Sequence, residues 1–385
     1  MKKHNNALDS FQETIFAVMS RKAIENKAIN LSQGFPDFPG PEWLTELAAE
    51  AFASLKYQQY APSPGILSLR EELSKIYNDR YGLNYDPAHE VTIVNGATEG
   101  IFSSLIALLN PGDEVIIFEP YYDSYLASIK LAGAIPKIVT LHAPEFQYRS
   151  NELEEAFTDK TKLIILNTPH NPSGKVFKED ELKEIYNLAL QNDCYILSDE
   201  VYEYLTYDLL KHQSIAQIED AKERTLVVSS AGKTFGTTGW KVGWVMAPKA
   251  LSKSLRLVHQ FNTFSVSHAS QVAVCKGLMK IDQYLPEFQF LYQRKRDFFL
   301  KGLQSLGFNT VTPDGTYFIL ASFEKFSQKN DVDFALELIE KYQVATIPPS
   351  AFYQNSNDGQ KYLRFCFAKN DETLLNSLEN LRKLK

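Results

Sequence analysis

The chain predicts an α/β fold: a large domain on a mostly parallel sheet covered by helices, plus a smaller α+β domain. Three observations carry this expectation. Apolar strand-like runs alternate with helical patterns through the middle of the chain. Beyond residue 280 that alternation gives way to a long charged helix and antiparallel-looking strands. Finally, 385 residues with 44% hydrophobic and 23% charged composition can bury a core large enough for two domains.

In chain order, residues 34–41 (Gly-Phe-Pro-Asp-Phe-Pro-Gly-Pro) form a rigid turn ahead of a helix over 42–54, a crossing point between domains. A strand over 91–95 precedes a helix over 98–109, and a strand over 114–118 precedes a helix over 124–132. The pattern returns at 163–167 before a helix over 179–191, then at 194–198 and 226–229. Such a βα rhythm indicates parallel strands with helices on both faces. Near the end, 284–307 is a long charged helix, 315–322 and 362–367 are strands of an antiparallel layer, and 333–341 and 371–385 add helices. The expected division is residues 42–280 for the large domain, with 1–41 and 281–385 forming the small one. The sequence contains neither an internal repeat nor a low-complexity linker.

Composition narrows the function. A net charge of −7 and a pI near 5.6 favour neither a nucleic-acid nor an anionic-membrane partner. The three cysteines, Cys194, Cys275 and Cys366, are far apart and lie in apolar stretches, so they read as buried thiols and not as a disulfide framework or zinc ribbon. The first nine residues carry charges with no apolar stretch behind them, unlike a secretory signal, and no apolar run approaches the ~20 residues of a membrane span. A cytoplasmic protein is expected. The seven histidines form no H-E-x-x-H and no carboxylate cluster accompanies them, so no metal site is expected.

In parallel α/β sheets, ligands bind beyond the carboxyl ends of the strands. Four such ends carry unusual residues. After 91–94 comes Asn95-Gly-Ala-Thr-Glu99, small residues opening a helix whose free N–H groups suit a phosphate as well as an ordinary cap. After 163–166 comes Asn167-Thr-Pro-His-Asn-Pro-Ser-Gly174, a stiff turn in which Asn171 either aims its amide at a ligand or bonds its own backbone. The strand at 194–198 runs into Asp199-Glu-Val-Tyr202. A carboxylate at the end of a buried strand needs a cation or several donors to offset desolvation, and a protonated pyridine nitrogen is one such partner. Tyr202 is close enough to share the site.

The fourth end is Leu226-Val-Val-Ser-Ser-Ala-Gly-Lys-Thr-Phe-Gly-Thr-Thr-Gly-Trp-Lys241, a strand leading into a small-residue turn with Ser230, Lys233 and Lys241. Read as a P-loop ending in Gly232-Lys233-Thr234, it would need glycine at 227, where Val227 stands; no G-x-G-x-x-G spans it either. Lysine condenses with carbonyl compounds, and small neighbours let a flat cofactor approach the backbone. The segment therefore reads as a Schiff-base lysine followed by a cationic phosphate anchor. Together the four ends provide phosphate donors, an acid, hydroxyl and amide groups, and an amine.

These residues resemble the class I (fold type I) pyridoxal-phosphate aminotransferases, and within them the bacterial methionine aminotransferases and the kynurenine aminotransferase group. The resemblance runs nearly end to end. It is carried by Asn30-Leu-Ser-Gln-Gly-Phe-Pro-Asp-Phe38, Gln59-Tyr-Ala-Pro-Ser-Pro-Gly65, the Asn167 turn, Ser198-Asp-Glu-Val-Tyr202, the Lys233 segment and Leu363-Arg-Phe-Cys-Phe-Ala368. It implies pyridoxal 5'-phosphate as cofactor, Lys233 as the lysine that binds it and shuttles protons, and Asp199 as partner of the ring nitrogen. Tyr202 and Asn171 would hydrogen-bond the ring oxygen, and Tyr122 would stack on the ring. The phosphate would meet the Gly96, Ala97 and Thr98 backbone, Ser230 and Lys241, with Tyr60 arriving from the other subunit of a homodimer. Many class I relatives have arginine where this chain has Lys241; the methionine and kynurenine group shares the lysine.

For the substrate, the resemblance implies Arg364 on the α-carboxylate, helped by Asn171 and the Gly34 backbone. Strand alternation independently sets Arg364 on the face opposite Leu363, Phe365 and Phe367, so it need not enter their core. Phe16 and Phe264, the latter from the partner subunit, would line the side-chain pocket, with Ser265 and Phe35 nearby. No second arginine matches a distal-carboxylate clamp. The expected reaction is ping-pong transfer of the amino group from a large apolar amino acid (methionine, an aromatic one or kynurenine) to a 2-oxo acid. The alternatives are a cofactor-dependent β-lyase acting on cysteine conjugates or cystathionine, and a cofactor-binding sensor, which the missing DNA-binding segment disfavours.

Overall fold

The computed structural model describes residues 6–9 and 11–384, so most of the charged N-terminal stretch weighed above as a signal lies outside the described residues. A seven-stranded sheet runs in the order Val91–Val94, Gly243–Met246, Thr225–Ser230, Tyr195–Asp199, Thr161–Asn167, Glu114–Glu119, Ile135–Thr140. The pairings from Thr225–Ser230 outward to Ile135–Thr140 are parallel, whereas Gly243–Met246 runs antiparallel to both its neighbours. The sheet is thus mostly parallel, as the βα rhythm predicts.

Its central strands are apolar at nearly every position because both faces are covered. Val115, Ile117, Leu163 and Ile165 pack on one face with Ile101 and Leu105 of the helix Ala97–Leu108. Ile116, Phe118, Ile164 and Leu166 pack on the other with Leu182 and Ile185 of the helix Glu179–Gln191. This alternation about a common plane brings the last residues of successive strands to one rim: Asn167, Asp199 and Ser230 each end their strand.

The second sheet is antiparallel and three-stranded, in the order Tyr362–Cys366, Phe318–Ser322, Asn309–Thr310. Helices Ile281–Leu306, Asp331–Tyr342 and Asp371–Leu381 accompany it. The N-terminal segment joins this layer: Ile29–Asn30 pairs in parallel with Val344–Ala345, and Cys366 donates its N–H to the Leu31 carbonyl. The three cysteines are free and buried.

Differences from expectation lie at edges and ends. The strand Ile135–Thr140 was not anticipated, because Pro136 argues against a strand; it occupies the sheet edge, where proline is tolerated. Gly243–Met246 falls outside the βα rhythm, since only the short helix Ala231–Thr234 and a turn separate it from Thr225–Ser230. The final helix stops at Leu381, short of 385, and the long helix begins at Ile281, ahead of 284. Helices Ile15–Glu25, Leu67–Tyr81, Lys249–Asn262 and His268–Leu278 lie outside the segments whose pattern predicts a helix.

Candidate active site

The rim where the strands end opens into a pocket of about 340 Å³ between the large sheet and the antiparallel layer. Asp199, at the end of its strand, is 4% exposed and lines this pocket. Its Oδ1 accepts from the Val201 N–H at 3.3 Å and its Oδ2 from the Tyr125 hydroxyl at 2.5 Å. Burial pushes the carboxyl up to about 6, opposed by the Tyr125 and Val201 hydrogen bonds and by the Lys233 charge.

Lys233 lies in the short helix Ala231–Thr234 that follows Ser230. Its Nζ donates to the Tyr317 hydroxyl at 2.8 Å and to the Gly34 carbonyl at 3.2 Å. Burial lowers its pKa to about 8; Cys366 and Asp199 oppose the shift, while Arg364 and Lys241 add to it. A lysine so placed is partly unprotonated near neutrality and nucleophilic.

Arg364 lines the same pocket and is 1% exposed. The surface arginine that alternation alone left open is excluded; it does face away from Leu363 and Phe365, but into an enclosed site. Its guanidinium lies 4.1 Å from the Phe318 ring centre and within 6 Å of Phe16 and Phe352. Nη1 donates to Asn171 Oδ1 at 3.0 Å and Nη2 to the Ser32 carbonyl at 2.8 Å, while buried Nε has no partner. Among the described residues Arg364 therefore forms no ion pair, although the Asp123 charge acts on it, and its pKa is lowered, chiefly by burial.

Asn171 is held by Asn167, whose Oδ1 accepts the Asn171 N–H at 2.8 Å and whose Nδ2 donates to the Asp199 carbonyl at 2.9 Å. The Asn171 amide oxygen is thus committed to Arg364, beyond any bond to its own turn. Tyr202 is buried at 3% exposure with its ring 5.1 Å from that of Tyr317, and Tyr122 meets Tyr125 edge-on at 5.6 Å.

At the other end of the pocket, Gly96 (φ 76°) caps the helix Ala97–Leu108. A β-carbon at Gly96 would lie 3.0 Å from Lys241 Nζ, so glycine here lets the ammonium reach the helix N-terminus. Ala97, Thr98 and Ser230 line the same end. The acceptor-free N–H groups of this helix start, an ammonium and hydroxyls make an anion site.

Phe16, Gly34 and Phe35 line the opposite wall. The Gly34 carbonyl is taken by Lys233 and Tyr317, which leaves only its N–H for a substrate carboxylate. Tyr60 and Phe264 lie outside the pocket; they are 81% and 48% exposed, and their rings meet at 5.1 Å. Ser265 bonds the Ala61 carbonyl. Sequence reasoning missed Tyr125, Tyr317, Asn167 and Gln33, all polar side chains whose partners are remote or lie within a turn. Among the described residues there is no cluster of three or more histidine, cysteine or acidic side chains able to hold a metal, and no helix long and apolar enough to cross a membrane.

Residues 26–381 match the family described as Aminotransferase class I and II. The chain belongs to that family. The aminotransferase is 37% identical to kynurenine–oxoglutarate transaminase of Dictyostelium discoideum, over 100% of this chain and 97% of that one. It is 39% identical to methionine aminotransferase of Escherichia coli, over 96% of each. The crystal structure of YbdL from Escherichia coli, reported with a methionine aminotransferase function, superimposes with a TM-score of 0.96 at 38% identity and full coverage of both chains. Fold-type-I aminotransferases of this kind use pyridoxal 5'-phosphate, and the enzyme shares their α/β architecture.

Proposed function

We propose that this aminotransferase moves the amino group of a large apolar amino acid (methionine, an aromatic one or kynurenine) to a 2-oxo acid, by a ping-pong route on pyridoxal 5'-phosphate. One observation carries the reading: Lys233, Asp199 and Arg364 converge on one pocket from three separate segments, each buried or half-buried and each with capacity left for a ligand. The residues fit the cofactor. The anion site at Gly96, Ala97, Thr98, Ser230 and Lys241 suits a phosphate, and the buried Asp199 carboxylate suits a ring N–H⁺.

When bound, the cofactor supplies a carbonyl that condenses with amines and a ring that draws electrons from the substrate Cα. The chain's residues do the rest. Asp199 would face a protonated ring nitrogen, whose charge would keep the carboxylate ionised. Tyr202 and Asn171 would supply a hydroxyl and an amide to hydrogen-bond the ring oxygen. Tyr122, which lines the pocket, would cover a ring face and limit water there. Lys233, whose pKa of about 8 permits both protonation states, would take a proton from the substrate Cα and deliver it to the cofactor's carbonyl-derived carbon. Arg364 orients the amino acid through its carboxylate.

Selectivity for large apolar side chains follows from the wall formed by Phe16, Phe35 and Phe318, together with the absence, among the lining residues, of an arginine besides Arg364. The similarity to the methionine and kynurenine enzymes points the same way. Exposed Phe52, Leu55, Tyr60, Leu67, Leu257, Phe261 and Phe264 support a homodimer in which Tyr60 and Phe264 complete the partner's pocket. The small domain would comprise residues 1–41 and 281–385, stitched by the Ile29–Asn30 and Val344–Ala345 pairing.

A screen of amino acids that follows conversion of the bound cofactor from its aldehyde to its amine form tests this reading. Methionine and aromatic amino acids should convert it fastest and aspartate slowly; fastest conversion by aspartate contradicts the substrate class. Phe16→Ala should reorder the ranking by roughly tenfold or more. Pyruvate and ammonia released without a 2-oxo acid would mark the β-lyase instead.

A further inference from the structure

Tyr317 touches the pocket lysine yet has no role in the reading above. It precedes the strand Phe318–Ser322 and is 1% exposed. Its ring is fixed edge-on to Tyr202 at 5.1 Å and stacked on Tyr292 at 6.1 Å. Its hydroxyl donates to the Gly34 carbonyl at 2.5 Å. A carbonyl only accepts, and a phenol has one proton. With that proton on Gly34 O, the Tyr317 oxygen acts as an acceptor, taking the Lys233 N–H at 2.8 Å, with the Tyr202 hydroxyl as a further hydrogen-bond partner. Gly34 O stands 3.2 Å from the same Nζ and takes a second N–H.

We propose that Tyr317 is a positioning residue for Lys233: with the Gly34 carbonyl it occupies two of the three free positions on the amine, so that the third, where a proton comes and goes, is aimed away from both oxygens. A neutral amine then offers its lone pair at that position and an ammonium its third N–H. The device orients the amine whenever Lys233 is uncondensed, and it rests on the assignment of Lys233 as the cofactor lysine. Rotation about the lysine stem would otherwise scatter the lone pair, because among the described residues no other acceptor lies within hydrogen-bond distance of Nζ. The other charged or titratable groups acting on Lys233 are Asp199, Arg364, Lys241 and Cys366, with Tyr202 beneath it at 5.5 Å. Those acting on Tyr317 are Tyr202, Cys366 and Tyr292.

The test uses the enzyme loaded with pyridoxamine 5'-phosphate, in which Lys233 is a free amine, and measures its carbamylation by cyanate against pH by peptide mass spectrometry. Tyr317→Phe keeps the ring and removes the acceptor, which favours the ammonium. The labelling midpoint should fall by about one pH unit, so that below the native midpoint labelling is about tenfold faster. Simple loosening of the site would raise labelling at every pH without moving the midpoint, and that result overturns the proposal. An unchanged profile overturns it as well. Should Tyr317→Phe misfold, 3-fluorotyrosine at position 317 provides the same ring with a poorer acceptor; a smaller fall supports the proposal and no fall contradicts it. Failure of the native enzyme to bind the cofactor would instead defeat the reading of this pocket as the cofactor site.

Discussion

Tyr125 donates its hydroxyl to Asp199 Oδ2 at 2.5 Å, a contact between residues 74 positions apart. The bond stabilises the charged carboxylate and works against the burial that pushes Asp199 up to about 6. Tyr125→Phe should therefore raise the Asp199 pKa further. The acid limb of the amino-acid half-reaction, followed by stopped-flow absorbance across pH, should move up by about one unit. A limb that stays in place would show that Tyr125 does not tune the acid.

Arg364 is buried with its Nε unpaired and two nitrogens turned to neutral oxygens. A carboxylate bound there would be the first to pair directly with this charge, on which Asp123 acts without an ion pair. Arg364→Ala should reduce kcat/KM roughly 10²- to 10³-fold for every amino acid, with most of the loss in KM. Arg364→Lys should recover only part, since an ammonium lacks the planar fork. A loss confined to one class of side chain would move Arg364 from carboxylate recognition to selectivity.

The Lys233 shift also has a sign in stability. Its folded value of about 8 lies below the ordinary 10.5, so between these values the unfolded chain binds more protons than the folded one. Stability of the cofactor-free protein then rises with pH across that window. Asp199 acts oppositely and lower: its raised value costs stability as pH climbs from 3.8 toward about 6. Urea unfolding of native protein and Lys233→Met across the higher window should show the native advantage growing with pH. A constant difference would mean that the lysine is not held in a desolvated site.

Tyr60 and Phe264 are exposed and lie outside their own pocket. If a partner subunit uses them, Tyr60→Ala and Lys233→Ala damage different sites of a dimer. Refolding the two variants together should restore activity that neither shows alone, because each mixed dimer holds one site with native residues at both positions. No recovery, with mixed dimers shown to form, would place Tyr60 in its own subunit's site or outside the chemistry.

Legibility in the sequence followed the physics of each position. Lys233, Asp199 and Asn171 were readable because buried parallel strands are apolar runs, so a polar residue at their ends stands out. Arg364 was readable as a site residue only through the resemblance, since alternation placed its face but not the walls that enclose it. Tyr125 and Tyr317 gave no local signal: tyrosine is common in cores, and their partners at Asp199 and Lys233 lie 74 and 84 positions away. The parallel order of the sheet was legible from the βα rhythm. The edge strand Ile135–Thr140 was not, because Pro136 conceals it.

The most direct measurement is borohydride reduction of the cofactor-loaded enzyme followed by peptide mass mapping. The phosphopyridoxyl group should sit on Lys233 alone, and Lys233→Ala should carry none and transfer no amino group. Label on another lysine of the native enzyme, or turnover by Lys233→Ala at the native rate, would contradict the assignment.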